Sequence, residues 1–133
     1  MSALADPAIL VIDDENFSRR LAKLLLEREH YRVLTATQGQ EGLLLAKVQQ
    51  PDVILLDLMM PGLSGHETLK RLRDDPETAS IPVIVVTAKM AEHDIATSFR
   101  LGATFHLEKP YETTDLVRKI QAALAFAASH GGR

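Results

Sequence analysis

Cysteine does not occur anywhere in the 133-residue chain. Its absence excludes disulfides and thiolate metal sites, and it suits a reducing compartment. A basic surplus is lacking as well. Lys and Arg total 15 against 18 Asp and Glu, for a net charge of −3 and a pI of about 5.9. With no excess of cations to set against phosphates, direct nucleic-acid binding by this chain is not expected. No apolar run reaches the roughly 18 residues that a bilayer span requires, so no membrane segment is expected. The stretch from Met1 to Pro7 has neither the basic start nor the apolar core of a signal peptide. The expectation is a cytoplasmic single domain, residues 1–133, with a core over about 7–128 and a frayed tail at 129–133.

What is present is a fivefold alternation of apolar, strand-like runs with helical patterns. Strands are predicted at 8–13, 31–36, 53–57, 81–87 and 103–107. Helices are predicted at about 16–30, 38–49, 65–74, 91–101 and 113–128. The first helix is expected to be capped by Asp14 or Asn16 and to pack through Phe17, Leu21, Leu24, Leu25 and Arg28. The second is expected to pack through Leu43, Leu44, Ala46 and Val48 and to end before Pro51. Ser64 is expected to cap the third helix, and Gly102 to end the fourth, which has Ile95 and Phe99 on one face. Leu116, Ile120, Ala123, Leu124 and Ala127 mark the inner face of the fifth. Five such units form a parallel sheet covered by helices on both faces. The fold class is α/β, with the flavodoxin-like order 2-1-3-4-5, because strands one, three and four are the most continuously apolar.

The central stretch is Pro51 to Gly65, where Val53 to Leu56 run into one carboxylate, Asp57. Open α/β sheets keep their sites at this carboxyl edge. The same edge receives Asp13 and Asp14 from strand one, Thr87 from strand four and Lys109-Pro110 after strand five. Taken singly, each has an ordinary explanation: a helix cap, a turn residue, a strand-end threonine, a solvated lysine. Together they are the residue types that one phosphoryl site requires. Three converging carboxylates repel one another unless a divalent cation neutralises them, and oxygen-only ligands favour Mg²⁺. Lys109 and Thr87 then supply a positive charge and a hydroxyl for a phosphoryl group carried on Asp57.

In these residues the chain resembles the response-regulator receiver domain of two-component signalling. The matching features are Asp13-Asp14, Asp57 followed by Met60-Pro61-Gly62 and Gly65, Thr87-Ala88, and Lys109-Pro110. The resemblance implies that Asp57 accepts phosphate from a phosphohistidine on a histidine kinase or a histidine phosphotransfer protein. It implies Mg²⁺ on Asp14, Asp57 and the backbone carbonyl of Met59, with Asp13 assisting through water. It implies a cis Lys109–Pro110 bond, and contacts from Lys109 and Thr87 to the phosphoryl oxygens. It also implies a switch: Thr87 moves toward the phosphate, an aromatic residue on strand five turns inward, and the surface of helix four, strand five and helix five changes. That aromatic position holds His106. In receivers the residues two after the acceptor and two after the threonine flank the attacking water, so the resemblance implies that Met59 and Lys89 tune phosphoryl lifetime.

The same residues bear on other functions of this fold. An aspartyl phosphatase of this kind pairs its nucleophile with an acid two residues on, where Met59 stands. A flavin binder needs a hydroxyl- and Gly-rich loop after strand one, where Asp13, Asp14, Glu15 and Asn16 would repel a bound phosphate. A receiver used only for docking, unphosphorylated, would not need the full acidic and basic set. The expected partners are therefore a phosphohistidine donor and a downstream protein target or an effector domain of a longer protein. Val117 and Phe126 are placed to meet a dimer mate or a target, and Ala22 and Leu26 add to an apolar stripe that suits a kinase. The chain is expected to catalyse only its own phosphotransfer and dephosphorylation.

Overall fold

The computed structural model describes residues 6–60, 62–88 and 92–130. The strands are β1 (Ala8–Ile12), β2 (Arg32–Ala36), β3 (Val53–Asp57), β4 (Val83–Thr87) and β5 (Phe105–Glu108). The helices are α1 (Asn16–Arg28), α2 (Gly39–Gln49), α3 (Gly65–Asp74), α4 (Glu92–Arg100) and α5 (Thr113–Ser129). All the strands are parallel, in the predicted order β2-β1-β3-β4-β5. Side chains alternate across the sheet with period two. Leu10, Ile12, Ile54, Leu56, Val83 and Val85 face α2 and α3, joined there by Ala46, Leu69 and Leu72. Ile9, Val11, Val53, Leu55, Ile84 and Val86 face α1 and α5, meeting Ala22, Leu26, Leu116, Ile120 and Ala123. Burial on both faces explains why β1, β3 and β4 read as unbroken apolar runs.

Two helices turn differently from their predicted packing. On α1 the buried residues are Ala22 and Leu26, whereas Phe17 and Leu24 are exposed. Ala22 and Leu26 are therefore core residues, not an outward kinase surface. On α2 the inward residues are Gly39, Gly42 and Ala46, while Leu44 and Val48 face outward. A methyl group on Gly42 would collide with the Ile12 side chain, so the missing side chain lets α2 lie directly on β1. The cap of α1 is Glu15, not Asp14 or Asn16: its carboxylate accepts from the amides of Ser18 (2.8 Å) and Phe17 (3.3 Å).

Other boundaries hold to within two residues. Ser64 caps α3, accepting from Glu67 N at 3.1 Å, and Gly102 follows α4 with φ +108°. β5 starts at Phe105 rather than at residue 103, because Thr104 still serves the edge of β4: its hydroxyl oxygen accepts from Val83 N at 3.1 Å. Lys89, Pro61 and the end of the predicted tail lie outside the described residues. Among the described residues no helix is long and apolar enough to cross a membrane.

Candidate phosphoryl-acceptor site

Asp57 is the last residue of β3, and Asp13 follows β1 directly, so the neighbouring strands deliver two carboxylates to one edge. Both are buried, at 6% and 5% exposure, while the adjacent Asp14 is exposed. One carboxyl oxygen from each of the three lies within 4.8 Å of the others. The cluster is held by specific donors. Asp57 Oδ1 accepts from Met59 N at 2.9 Å, and Asp13 Oδ1 accepts from Glu15 N at 3.0 Å. Lys109 Nζ donates to Asp13 Oδ2 at 2.8 Å and to Asp57 Oδ2 at 3.3 Å.

Lys109 reaches this point because its own backbone continues β5 beside β4: Lys109 N donates to Thr87 O at 2.9 Å. The Lys109–Pro110 peptide is cis, as the resemblance implied. Thr87 closes β4 and is 1% exposed, and its hydroxyl is buried with no hydrogen-bond partner. A buried hydroxyl left unpaired costs free energy, so its presence next to a charged cluster calls for a reason.

The electrostatics are unbalanced. Burial pushes the Asp57 carboxyl above its usual value, and neighbouring Asp13 adds to the rise. The Met59 amide and the Lys109 charge pull the other way without cancelling it. Burial alone would lower Lys109, but its bond to Asp13 and the charges of Asp57 and Asp13 together raise it. One ammonium thus faces three carboxylates, and the remaining charge suits a hard divalent cation with oxygen ligands.

Five of the residues singled out in the sequence, Asp13, Asp14, Asp57, Thr87 and Lys109, therefore meet at one edge of the sheet. Met59 sits at the rim with its side chain 70% exposed. His106 lies elsewhere, under α4. The Ser98 hydroxyl donates to Ile95 O at 3.0 Å, leaving its oxygen to accept from His106 Nε2. The other ring nitrogen, Nδ1, is buried and has no partner. Phe99 meets the ring edge-on at 4.2 Å. Burial, then the Lys119 charge, lowers the His106 pKa, so the ring is neutral near pH 7.

The sequence reading passed over Tyr111. Its position directly after Lys109-Pro110 was the available signal. Together with Phe17, Leu21, Ala88 and Pro110 it forms an apolar hollow that borders the acidic cluster at Lys109.

Comparison with known proteins fits this geometry. Residues 9–121 match the family described as response regulator receiver domain. The chain belongs to that family. The receiver domain is 40% identical to protein PilH of Pseudomonas aeruginosa over 117 residues, 88% of this chain and 97% of PilH. Among solved structures it resembles the chemotaxis protein CheY4 of Vibrio cholerae. The TM-score is 0.86 at 29% identity, covering 90% of this chain and all of that one. It also resembles the receiver domain of the sensor histidine kinase PA1611 of Pseudomonas aeruginosa, which holds a magnesium ion in its active-site cleft. There the TM-score is 0.85 at 26% identity, covering 91% of this chain and 99% of that one. Several longer regulators match too, and of these the receiver domain spans between 26% and 52%. Its place in two-component signalling follows from the family.

Proposed function

We propose that this receiver accepts a phosphoryl group on Asp57 from a phosphohistidine of a histidine kinase or histidine phosphotransfer protein. The observation that carries the reading is a cluster of three carboxylates at the carboxyl edge of the sheet, two of which, Asp13 and Asp57, share the Lys109 ammonium. Asp57 Oδ1 is engaged by the Met59 amide, so Oδ2, on the Lys109 side, is the attacking oxygen. It forms the new bond to phosphorus as the bond from phosphorus to the donor nitrogen breaks, and the imidazole leaves. Lys109 and the free hydroxyl of Thr87 hold the phosphoryl oxygens.

The residues fit Mg²⁺, with Asp14, Asp57 and the Met59 carbonyl as ligands and Asp13 acting through water. When bound, the cation neutralises the carboxylates and supplies positive charge to the phosphoryl oxygens. The hollow at Phe17, Leu21, Pro110 and Tyr111 lies where an incoming histidine would approach and serves as the donor's docking surface. Output runs through the face of α4, β5 and α5, toward a protein target or an attached effector domain. Thr87 and the half-buried His106, which is paired with Ser98, are the switch residues of this reading.

A self-acting switch differs from a phosphatase in stoichiometry. Incubated with Mg²⁺ and phosphoramidate, a small donor with a phosphorus–nitrogen bond, the protein is expected to gain one phosphoryl group per chain. It should show no sustained turnover of p-nitrophenyl phosphate. Continuous release of nitrophenol would favour the phosphatase reading instead.

The lifetime of the acyl phosphate is expected to be long, because Met59 and Lys89 offer no carboxylate or amide to orient water. Changing Met59→Asn together with Lys89→Glu should shorten the half-life by roughly tenfold, the lower end of general-base effects. Phosphate release after removal of the donor measures this, and an unchanged half-life would discard the role of both residues.

A further inference from the structure

The edge of the sheet opposite Asp57 holds a second concave site. A cavity of about 400 Å³ opens between α4, α5 and the segments that lead into β4 and β5. That volume lies within the range of small-molecule sites. Its charged wall is Arg73, from the last turn of α3. Arg73 Nε donates to Gly102 O at 3.0 Å, and Nη1 donates to Ala79 O at 3.1 Å and Ile81 O at 2.6 Å. These carbonyls fix the plane of the guanidinium but bring no negative charge. Among the described residues no carboxylate pairs with Arg73 or lines the cavity, and Nη2 has no hydrogen-bond partner. A half-buried cation is thus held rigid with one edge of its fork unused.

The rest of the wall is aromatic. Phe99 and Phe126, exposed at 49% and 40%, both line the cavity and leave apolar surface open to a ligand there. Phe126 is braced, edge-on to Phe105 and stacked on His130 at 3.9 Å. Thr104 Oγ1 accepts from Val83 N, so its proton is free to donate. An unpaired guanidinium edge beside two open rings recognises a molecule with an anionic head and an apolar body.

We propose that this cavity binds a small organic carboxylate with an aromatic or aliphatic body. The carboxylate sits on Arg73 Nη2 and the Thr104 hydroxyl, and the body lies between Phe99 and Phe126. The five residues of β4 separate this site from the acidic cluster by about 16 Å, so it is distinct from the phosphoryl site. Phe99 also touches His106, which gives a bound ligand a direct contact to the β5 side of the output face.

The test is an amide-resolved NMR titration of the whole chain with benzoate, and with benzyl alcohol as its uncharged counterpart. Benzoate should give saturable shifts at residues 73, 79–81, 99–104 and 126–130, and benzyl alcohol should bind roughly tenfold more weakly or worse. Phe126→Ala should weaken benzoate while leaving the three Arg73 carbonyl bonds in place, and Arg73→Met should abolish binding. Non-saturating shifts, an equal response to benzyl alcohol, or shifts confined to residues around Lys109 would overturn the proposal.

Discussion

Replacing Lys109 with methionine is expected to destabilise the metal-free protein by about 3 kcal/mol at pH 7, since it strands two buried carboxylates without their cation. The Lys109 side chain is 17% exposed, and those of Asp13 and Asp57 are 7% and 8% exposed, so water screens the triad poorly. The pH dependence follows from the directions of the shifts. Lys109 is raised in the fold, so its stabilisation is fully present below its unfolded pKa and is lost only as pH rises through the folded value. At pH 7 the wild type holds all of it. Asp57 is also raised, so the fold loses stability as pH rises through that carboxyl's titration. Without Lys109 that rise grows, and the deficit of the variant should be larger at pH 7 than at pH 5. Urea unfolding at the two pH values measures this. Mg²⁺ should then stabilise the variant more than the wild type, because the cation no longer competes with the ammonium. A deficit that is absent, or equal at both pH values, would contradict the electrostatic account.

The second large effect is expected at Gly65, the first residue of α3. A Cβ built there would collide with Leu58 Cα and lie 2.6 Å from Asp57 O, both backbone atoms at the acceptor. Gly65 N also donates to Leu58 O at 3.3 Å. Gly65→Ala therefore has to push α3 or the Asp57–Leu58 backbone aside, at a cost of about 2 kcal/mol. A displaced acceptor should also phosphorylate roughly tenfold more slowly in protein that remains folded. Gly62→Ala is the contrast. Gly62 has φ +72° with nothing within 4 Å, so alanine there meets only backbone strain of about 1 kcal/mol, with the rate unchanged. Equal rates in both variants would remove Gly65 from the account of how Asp57 is placed.

The site was legible because β1, β3 and β4 are apolar up to their carboxyl ends, so the first polar residue of each run falls at that edge. Asp13, Asp57 and Thr87 could be placed from that pattern without knowing a single contact. The inward face of α1 was not legible, because Phe17, Leu21 and Leu24 and the set Ala22, Leu25 and Leu26 both read as apolar stripes. The choice between them depends on what β1 and β3 leave room for, and small Ala22 fits closer to the sheet. On α2 the deciding residues were glycines, whose contribution is the absence of a side chain and whose pattern does not register as hydrophobic. Leu44 and Val48 were displaced to the outside by that close approach. His106 was identified by position, but its anchor, Ser98, lies eight residues earlier on a different element. Arg73 gave no sequence signal, since a helix-end arginine is ordinary until its carbonyl partners and the cavity beside it are seen.

The central claim is that Asp57 carries the phosphoryl group. Intact-protein mass after incubation with acetyl phosphate and Mg²⁺ tests it most directly. The account predicts a gain of one phosphoryl group in the wild type, dependent on Mg²⁺, and none in Asp57→Asn. No gain in the wild type, or an equal gain in both proteins, would contradict it.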